Sequence, residues 1–377
     1  MKKKIRLGIL FGGRSGEHDV SLESAASILR AVDPAKYDVV PIGITREGRW
    51  VLGGSAIGKL DFPRDALAGV FKTGKAVTPP ADPSCRGMVP VDPRVKGLRR
   101  ERALDVMFPI LHGTFGEDGT VQGLFELAGI PYVGAGVLGS AAGMDKDLMK
   151  RLFRDARLPI VPWVLLLRRE WKASPAKARQ RIEREIGYPV FVKPANLGSS
   201  VGISKVHARR ELTAAINLAA KYDRKIIVER GLDAREIECA VLGNDDPQAS
   251  VPGEVVPVNE FYDYSAKYIQ EGSKLIIPAP ISRRQSREVK ELSIRAFKAI
   301  DCAGMGRVDF LMSRKSGKLF VNEINTIPGF TSISMYPKLW EASGLPYARL
   351  IDRLIELAIE RHGERSGTQY SYKSLPG

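Results

Sequence analysis

Short apolar runs alternate with longer polar segments from the start of the chain. The run at 5–13 predicts a buried strand, and the apolar residues of 21–32 recur at helical spacing. Two further apolar runs, 37–45 and 103–113, predict strands, and 119–130 predicts another helix. Because strands and helices alternate, this part of the chain is expected to form a parallel sheet with βαβ connections.

The pattern changes after Ser140. Residues 140–156 predict one amphipathic helix ahead of an apolar strand, while 46–103, rich in Pro, Gly and charge, predicts loops with short elements. Strands are also predicted at 131–136, 162–167, 190–193, 225–232, 236–243, 275–282, 306–313 and 318–325. Helices are predicted at 172–186, 208–222, 286–300 and 346–361.

Length and charge limit the possible classes. The chain has 377 residues, which at ~100–200 residues per domain predicts two or three domains. Its formal net charge is +15, but the basic residues are scattered and match no nucleic-acid-binding module. A solvated basic surface is therefore favoured, and no nucleic-acid partner is expected.

Cysteine and histidine usage argues against a disulfide framework or a zinc site. Cys85, Cys239 and Cys302 are far apart, and the four histidines lack zinc-ligand spacing. Unpaired cysteines favour a reducing cytoplasm. No apolar run approaches the ~20 residues that span a bilayer, so no membrane segment is expected.

The segment FVKPANLGSSVGISKV, 191–206, is the clearest chemical signal. Lys193 interrupts an apolar strand, and a loop containing Gly198, Ser199, Ser200 and Gly202 follows. Such a loop can aim backbone N–H groups at an anion, and the lysine adds a point charge, so the segment suits a polyphosphate. The alternative is a strand and turn with a structurally satisfied lysine.

A second glycine pattern matches the fingerprint of a nicotinamide dehydrogenase, the alternative class of enzyme. Gly134, Gly136 and Gly139 match G-x-G-x-x-G between a predicted strand and a helix. That fingerprint normally belongs to the first βα unit, whereas here it comes at the seam between two predicted domains. The chain contains no G-x-x-x-x-G-K-[ST] sequence, which excludes P-loop chemistry.

Acidic residues near the C-terminal end predict a magnesium site. Glu323 and Asn325 are two apart in FVNEIN, so they share a strand face; Asp309 and Arg307 share a face in GRVDFLM. Hard oxygen donors suit magnesium, and an arginine beside them would counter developing negative charge. The alternative is a pair of edge strands with salt-bridged acids.

Other polar residues follow predicted strands. Glu229 and Glu236 flank a strand end and suit either a polar surface or adenosine recognition, the latter with an acid on the ribose hydroxyls. Glu17 lies on a glycine-rich turn before a helix, and His112 follows another strand, at the edge where open α/β sheets bind ligands. Glu17 could equally be a helix cap and His112 a structural histidine.

Taken together, the motifs resemble the D-alanine–D-alanine ligases of the ATP-grasp superfamily. The resemblance covers nearly the whole chain and rests on FGGRSGEHDVSLES, LHGTFGEDGTVQG, GSAAGMDK, YPVFVKPANLGSSVG, EFYDYSAKY, GRVDF and NEINTIPGFTSISMYP, in this order. It implies an α/β and α+β architecture: an ATP-grasp fold with an N-terminal parallel α/β domain. The implied divisions are 1–139 for substrate, 140–235 and 236–362 for the two halves of the ATP-grasp unit, and 363–377 for a loose tail.

The resemblance also implies a role for each matched residue. ATP would contact Lys146, Lys193, Gly198, Ser199, Ser200, Glu229, Glu236 and Lys267. Two Mg²⁺ ions, with Mn²⁺ as an alternative, would bind Asp309, Glu323 and Asn325. The D-alanine substrates would contact Glu17, His112, Arg307, Gly329, Ser334 and Met335. Lys267 and Tyr268 would lie on a mobile loop, with Tyr268, Ser199 and Glu17 linked by hydrogen bonds.

The implied activity is ADP-forming ligation of two D-alanines through an acyl phosphate, for bacterial peptidoglycan synthesis. A D-alanine–D-lactate ligase is the chemical alternative, since ester-forming relatives replace the tyrosine at 268. The family further suggests a cytoplasmic homodimer whose small-molecule partners are ATP and D-alanine.

Overall fold

The computed structural model describes residues 3–53, 64–85, 87–92, 103–198, 201–256 and 274–369. In these ranges the chain forms three sheets with flanking helices.

The first sheet belongs to the N-terminal part. Its strands are β1 (Ile5–Gly12), β2 (Tyr37–Ile44), β3 (Trp50–Leu52), β4 (Lys75–Thr78), β5 (Val89–Pro90) and β6 (Val106–Ile110), in the order β5-β4-β3-β2-β1-β6. The predicted parallel sheet is confirmed for β2, β1 and β6. Strands β3 to β5 are short and come from the segment predicted to hold loops with short elements, and they extend the sheet in antiparallel fashion.

Three helices pack against this sheet: α1 (His18–Ala31), α2 (Arg64–Thr73) and α3 (Thr120–Leu127). The next helix, α4 (Val137–Met144), packs against the C-terminal part of the chain. Residues 7–12 of β1 are all buried, so both faces of the strand are covered there, as is usual for a parallel strand. The prediction of a strand at 131–136 is wrong. Only Tyr132 there forms a bridge, parallel to Met107, because the segment turns almost at once into α4.

The single helix predicted at 140–156 is also wrong. Asp145 is extended and separates α4 from α5 (Lys146–Asp155). Its Oδ1 accepts hydrogen bonds from the N–H groups of Asp147 and Leu148, at 3.1 and 3.0 Å, as an N-cap does. The break places Lys146 on the first turn of a new helix.

The second sheet is antiparallel, in the order β7-β10-β8-β9. It contains β7 (Trp163–Leu167), β8 (Val190–Pro194), β9 (Ser204–Val206) and β10 (Lys225–Arg230). Its helices are α6 (Arg168–Ala173), α7 (Pro175–Glu185) and α8 (Arg209–Tyr222). The helix predicted at 172–186 is interrupted at Ser174, because Pro175 starts a new helix at its favoured first position.

The third sheet is antiparallel, in the order β14-β13-β11-β15-β16, with β12 beside β11. It contains β11 (Ala234–Gly243), β12 (Gln248–Ala249), β13 (Gly253–Val256), β14 (Lys274–Ile276), β15 (Gly304–Ser313) and β16 (Leu319–Asn325). The helices are α9 (Arg283–Ala299), α10 (Met335–Ala342) and α11 (Tyr347–Ser366). Because α11 continues to Ser366, the first residues of the segment predicted as a tail are helical.

The hydrophobic cores do not follow the three sheets one to one. Phe11 and Phe108 of the first sheet share a core with Phe330, Tyr336 of α10 and Leu354 of α11. The rings of Phe108 and Phe330 meet edge to face, 5.8 Å apart. The second sheet has a core of its own, built between Val164 and Val228. The N-terminal and C-terminal parts are thus one packed body, and the second sheet is a separate one.

Candidate active site

A cleft lies between the second and third sheets. Side chains from the loop after β8 and from β8, β10, β11, β15, β16 and α5 line it. The lining includes all of the described residues that were predicted to bind ATP or metal: Lys146, Lys193, Gly198, Glu229, Glu236, Asp309, Glu323 and Asn325.

A buried carboxylate between two lysines forms one wall. Glu229 Oε2 lies 2.7 Å from the Nζ of Lys193, and Oε1 lies 3.2 Å from the Nζ of Lys150. Burial opposes ionisation of all three groups. The two lysines nevertheless lower the pKa of Glu229, and Glu229 with Glu323 raises the pKa of Lys193. Glu229, predicted to lie near adenine, is thus also the group that fixes Lys193.

Lys146 joins the two sides of the cleft. Its Nζ donates to the carbonyl oxygen of Leu197 at 3.1 Å and lies 3.3 Å from Glu323 Oε2. Leu197 belongs to the glycine-rich loop and Glu323 to β16. Lys146 therefore places a positive charge between the predicted phosphate loop and the predicted metal ligands.

Strands β15 and β16 align the predicted metal ligands as their spacing requires. Asp309 is the cross-strand partner of Glu323, and Arg307 that of Asn325. Arg307 binds both oxygens of Asp309 and also lies 2.9 Å from Glu238 Oε2. The Nδ2 of Asn325 donates to Asp309 Oδ2 at 3.0 Å, which leaves its amide oxygen for another contact.

These side chains fit magnesium. Two carboxylates and an amide supply hard oxygens, but within the described ranges no three His, Cys, Asp or Glu side chains form a metal-binding group. Water and phosphate oxygens would therefore complete the coordination. That is the usual arrangement where magnesium accompanies a nucleotide rather than filling an all-protein site.

Glu17 meets the glycine-rich loop from the N-terminal side. It occupies the N-cap position of α1 but makes no side-chain cap hydrogen bond, so the capping interpretation fails. A methyl group added at Gly113 or Gly198 would come within 2.5 or 3.0 Å of Glu17 Oε2. Glycine at both positions allows the buried carboxylate to lie against two backbone segments.

His112 and Glu117 hold one peptide of the C-terminal part. His112 Nδ1 lies 3.1 Å from the carbonyl oxygen of Ile327, and Glu117 Oε1 accepts from the Ile327 N–H at 3.1 Å. Burial lowers the pKa of His112, which favours a neutral ring. Burial and the Glu17 carboxylate raise the pKa of Glu117 to about 8, against two backbone N–H donors. These contacts fix the chain two residues before Gly329.

Gly329, Ser334 and Met335 lie on the turn that leads into α10. Ser334 Oγ accepts from the N–H of Thr331 at 3.1 Å, and a methyl group at Gly329 would come within 3.2 Å of the same oxygen. Met335 begins α10 and is buried. The turn is thus held by a hydrogen bond within it, and the contact between His112 and the Ile327 carbonyl oxygen connects it to the N-terminal part. Four predicted site residues, Ser199, Ser200, Lys267 and Tyr268, lie outside the described residues.

The G-x-G-x-x-G match has a packing explanation. A methyl group at Gly139 would come within 2.6 Å of the carbonyl oxygen of Asp301. Gly134 has φ +98°, and a methyl group at Gly304 would come within 3.1 Å of the Gly134 backbone nitrogen. The glycines bring α4 against the turn before β15, so the pattern gives no support to a dinucleotide site.

Sequence reasoning missed three residues of the site. Lys150 follows Lys146 by one helical turn, Glu117 lies within the LHGTFGEDG motif, and Glu238 alternates with Glu236 on β11. Helical and strand spacing could have pointed to the first and third. Only the tertiary structure reveals that Glu117 reaches Ile327.

The fold and this cleft define an ATP-grasp ligase. Models of the D-ala D-ala ligase N-terminus and C-terminus match residues 6–135 and 152–356. A D-alanine--D-alanine ligase of Heliobacterium modesticaldum is 52% identical over 96% of both chains. The chain belongs to the D-alanine–D-alanine ligase family, which confirms the resemblance seen in the sequence.

Solved structures agree with that assignment. The D-alanine-D-alanine ligase of Coxiella burnetii has a TM-score of 0.82 at 39% identity, with 96% of each chain covered. The VanG D-Ala:D-Ser ligase of Enterococcus faecalis has a TM-score of 0.83 at 37% identity, covering 94% of this chain and all of that one. None of the described helices has the length and apolar content needed to cross a bilayer.

Proposed function

We propose that the protein joins two D-alanines into D-alanyl-D-alanine, with ATP as co-substrate and magnesium as the metal. The observation that carries the proposal is the convergence on one cleft of Lys146, Lys193 and the acidic pair Asp309 and Glu323. Family membership supports the same activity, and D-alanine ligation supplies a precursor for bacterial cell-wall peptidoglycan.

The chemistry begins with an unreactive carboxylate. Transfer of the γ-phosphoryl group of ATP to the first D-alanine gives an acyl phosphate and ADP. Lys146 and Lys193 supply positive charge for the phosphates, and Glu236 would take the ribose hydroxyls. When bound at Asp309, Glu323 and Asn325, magnesium supplies further neutralisation of phosphoryl charge.

The second step forms the peptide bond. The neutral amine of the second D-alanine attacks the acyl carbon and a tetrahedral oxyanion forms. The C–O bond to phosphate then breaks as the carbonyl returns, and the departing phosphate takes the bonding electron pair and can accept the proton that the amine loses. Arg307 and the N–H of Gly329 would stabilise the oxyanion. Glu17 would hold the ammonium group of the first substrate, and Ser334 with the Met335 backbone would bind the carboxylate of the second.

The identity of the second substrate distinguishes the related ligases from one another. D-Lactate would give an ester, and the similar structure from Enterococcus faecalis is named for D-serine. We propose D-alanine as the second substrate because residue 268 is a tyrosine, the residue type that dipeptide-forming members carry at this position. We also propose a cytoplasmic location, which the free Cys85, Cys239 and Cys302 support. A homodimer is proposed on the family alone.

The test is a product analysis. The protein would be incubated with ATP, magnesium and D-alanine, alone or with an excess of D-lactate or D-serine. We expect ADP and D-alanyl-D-alanine as main products by mass spectrometry. ADP with mainly ester or mixed dipeptide would reassign the second substrate. No ATP consumption with any acceptor would contradict the ligase activity.

A further inference from the structure

Lys150 is a fully buried lysine to which neither the motifs nor the proposed chemistry assigns a role. It lies on α5, one turn after Lys146, and its side chain is 0% exposed. Its Nζ lies 3.2 Å from Glu229 Oε1 and 3.5 Å from the carbonyl oxygen of Asn322. Burial lowers the pKa of Lys150, and the Glu229 carboxylate acts in the opposite direction.

Packing alone does not explain why a charged lysine is buried at position 150. Removing an ammonium group from water is costly, and an apolar side chain of similar volume would fill the same space at a lower cost. Glu229 is itself only 3% exposed and already has Lys193 as a partner at 2.7 Å. A single lysine would be enough to pair with the carboxylate. The second lysine therefore adds one positive charge to this side of the cleft.

The charges of the three side chains explain the arrangement. Glu229 and Lys193 alone would be a neutral pair, and Lys193 would have little net attraction for a phosphate. With Lys150 present, the group of three carries one net positive charge. Lys150 is fully buried, whereas Lys193 lines the cleft, so the surplus charge is available where the phosphates are proposed to bind.

We propose that Lys150 is a positioning residue that neutralises Glu229, so that Glu229 can hold Lys193 in place without cancelling its attraction for the nucleotide phosphates. The proposal rests on the proposed function, because it assumes that Lys193 binds ATP. It predicts that nucleotide affinity follows the net charge of the three side chains rather than the presence of Lys150 itself.

Two variants separate this role from a structural one. Lys150→Met removes the charge at nearly constant length and leaves Glu229 paired with Lys193, for a net charge of zero. The double variant Lys150→Met/Glu229→Gln restores one net positive charge, and the amide oxygen of the glutamine can still accept from Lys193. Lys221→Met, on the exposed face of α8, is the control for loss of a remote positive charge.

The measurement is the dissociation constant of ATP with magnesium, by titration calorimetry without D-alanine, alongside the thermal unfolding midpoint of each variant. We expect Lys150→Met to bind ATP at least tenfold more weakly, as for loss of a charge-assisted contact. The double variant should bind ATP at least threefold more tightly than Lys150→Met, although it has lost any carboxylate contact of Glu229 with adenine, and Lys221→Met should bind as the wild type does.

Two results would overturn the proposal. One is wild-type affinity in Lys150→Met. The other is equally weak binding in the single and double variants when both unfold near the wild-type temperature, which would make Lys150 a local structural requirement. Failure of the wild-type protein to bind ATP would instead contradict the proposed function itself. The wild-type titration is carried out first, so this outcome is distinguished from a failure of the Lys150 proposal.

Discussion

Arg307 and Asp309, two residues apart on β15, form a bidentate ion pair. Arg307 Nε lies 2.7 Å from Asp309 Oδ1, and Nη2 lies 2.8 Å from Oδ2. The proposed oxyanion donor and a proposed metal ligand are therefore one unit, with geometry that a lysine could not reproduce. A change in Asp309 therefore disturbs both functions, whereas Glu323 pairs with Lys146 on the other side of the cleft.

This difference predicts two distinct effects on activity. Glu323→Gln should mainly raise the magnesium concentration needed for half-maximal rate, because one metal-binding charge is lost. Asp309→Asn should raise it too, and should lower kcat at saturating magnesium by at least tenfold, since Arg307 loses its bidentate carboxylate partner and keeps only Glu238. Magnesium titrations of the ligation rate measure both. Identical profiles for the two variants would contradict the coupling of Arg307 to Asp309.

Glu117 predicts a pH-dependent stability. Its pKa is raised from 4.5 to about 8, so the folded protein binds a proton that the unfolded chain has released. Its contribution is full below about pH 4.5 and is lost as pH rises through 8. Relative to Glu117→Gln, the wild-type free energy of unfolding should fall by a few kcal/mol between pH 5 and 8.

Urea unfolding of both proteins across that range tests the sign. His112 acts in the opposite direction, because its lowered pKa makes stability fall as the solution becomes more acidic than its ordinary pKa of 6.5. Both proteins retain His112, so the comparison isolates Glu117. Parallel stability profiles would show that Glu117 does not titrate in this interval.

The packing at Gly139 gives a stability prediction with a matched control. Gly139→Ala would push a methyl group to 2.6 Å from the carbonyl oxygen of Asp301, at a cost of ~1–3 kcal/mol. Gly123→Ala, also helical, meets nothing within 4 Å and should be neutral or stabilise by up to ~1 kcal/mol. Thermal unfolding of both variants measures the difference. Equal midpoints would remove the packing explanation of this glycine pattern.

Tyr268 carries a prediction from the sequence alone. Tyr268→Phe removes one hydroxyl, which the family resemblance links to Ser199 and Glu17. A neutral hydrogen bond is worth ~0.5–1.5 kcal/mol, so the share of D-alanyl-D-lactate should rise several-fold when D-alanine and D-lactate compete. Both products would be counted by mass spectrometry at neutral pH. An unaltered ratio would exclude this hydroxyl from the choice of acceptor.

Strand geometry was the part of the site best predicted from sequence. Residues two apart on a strand share a face, so the convergence of Glu323 and Asn325 with Asp309 could be expected before any fold was known. Glu17 and Lys193 were identifiable because each interrupts or follows an apolar strand at a glycine-rich turn. The family resemblance added their roles.

Contacts between distant segments could not be predicted in this way. Nothing local marks Glu117 as the acceptor for a backbone N–H that is 210 residues away in the chain. The break between α4 and α5 was readable in principle, since Asp145 is a good N-cap, but the helical pattern continues across it and masked the signal.

The division of hydrophobic cores determines which parts of the site can move. The chain crosses into the second sheet at 160–162 and leaves it at 231–232, two segments that lie side by side because the Arg230 N–H donates to the carbonyl oxygen of Pro162. Because the second sheet has its own hydrophobic core, we expect that rotation at these two segments would open the cleft without disrupting a core. The proposed acceptor site, anchored through Ile327, and the predicted metal ligands of β15 and β16 would then keep their places, while Lys193 and Glu229 of the second sheet would move.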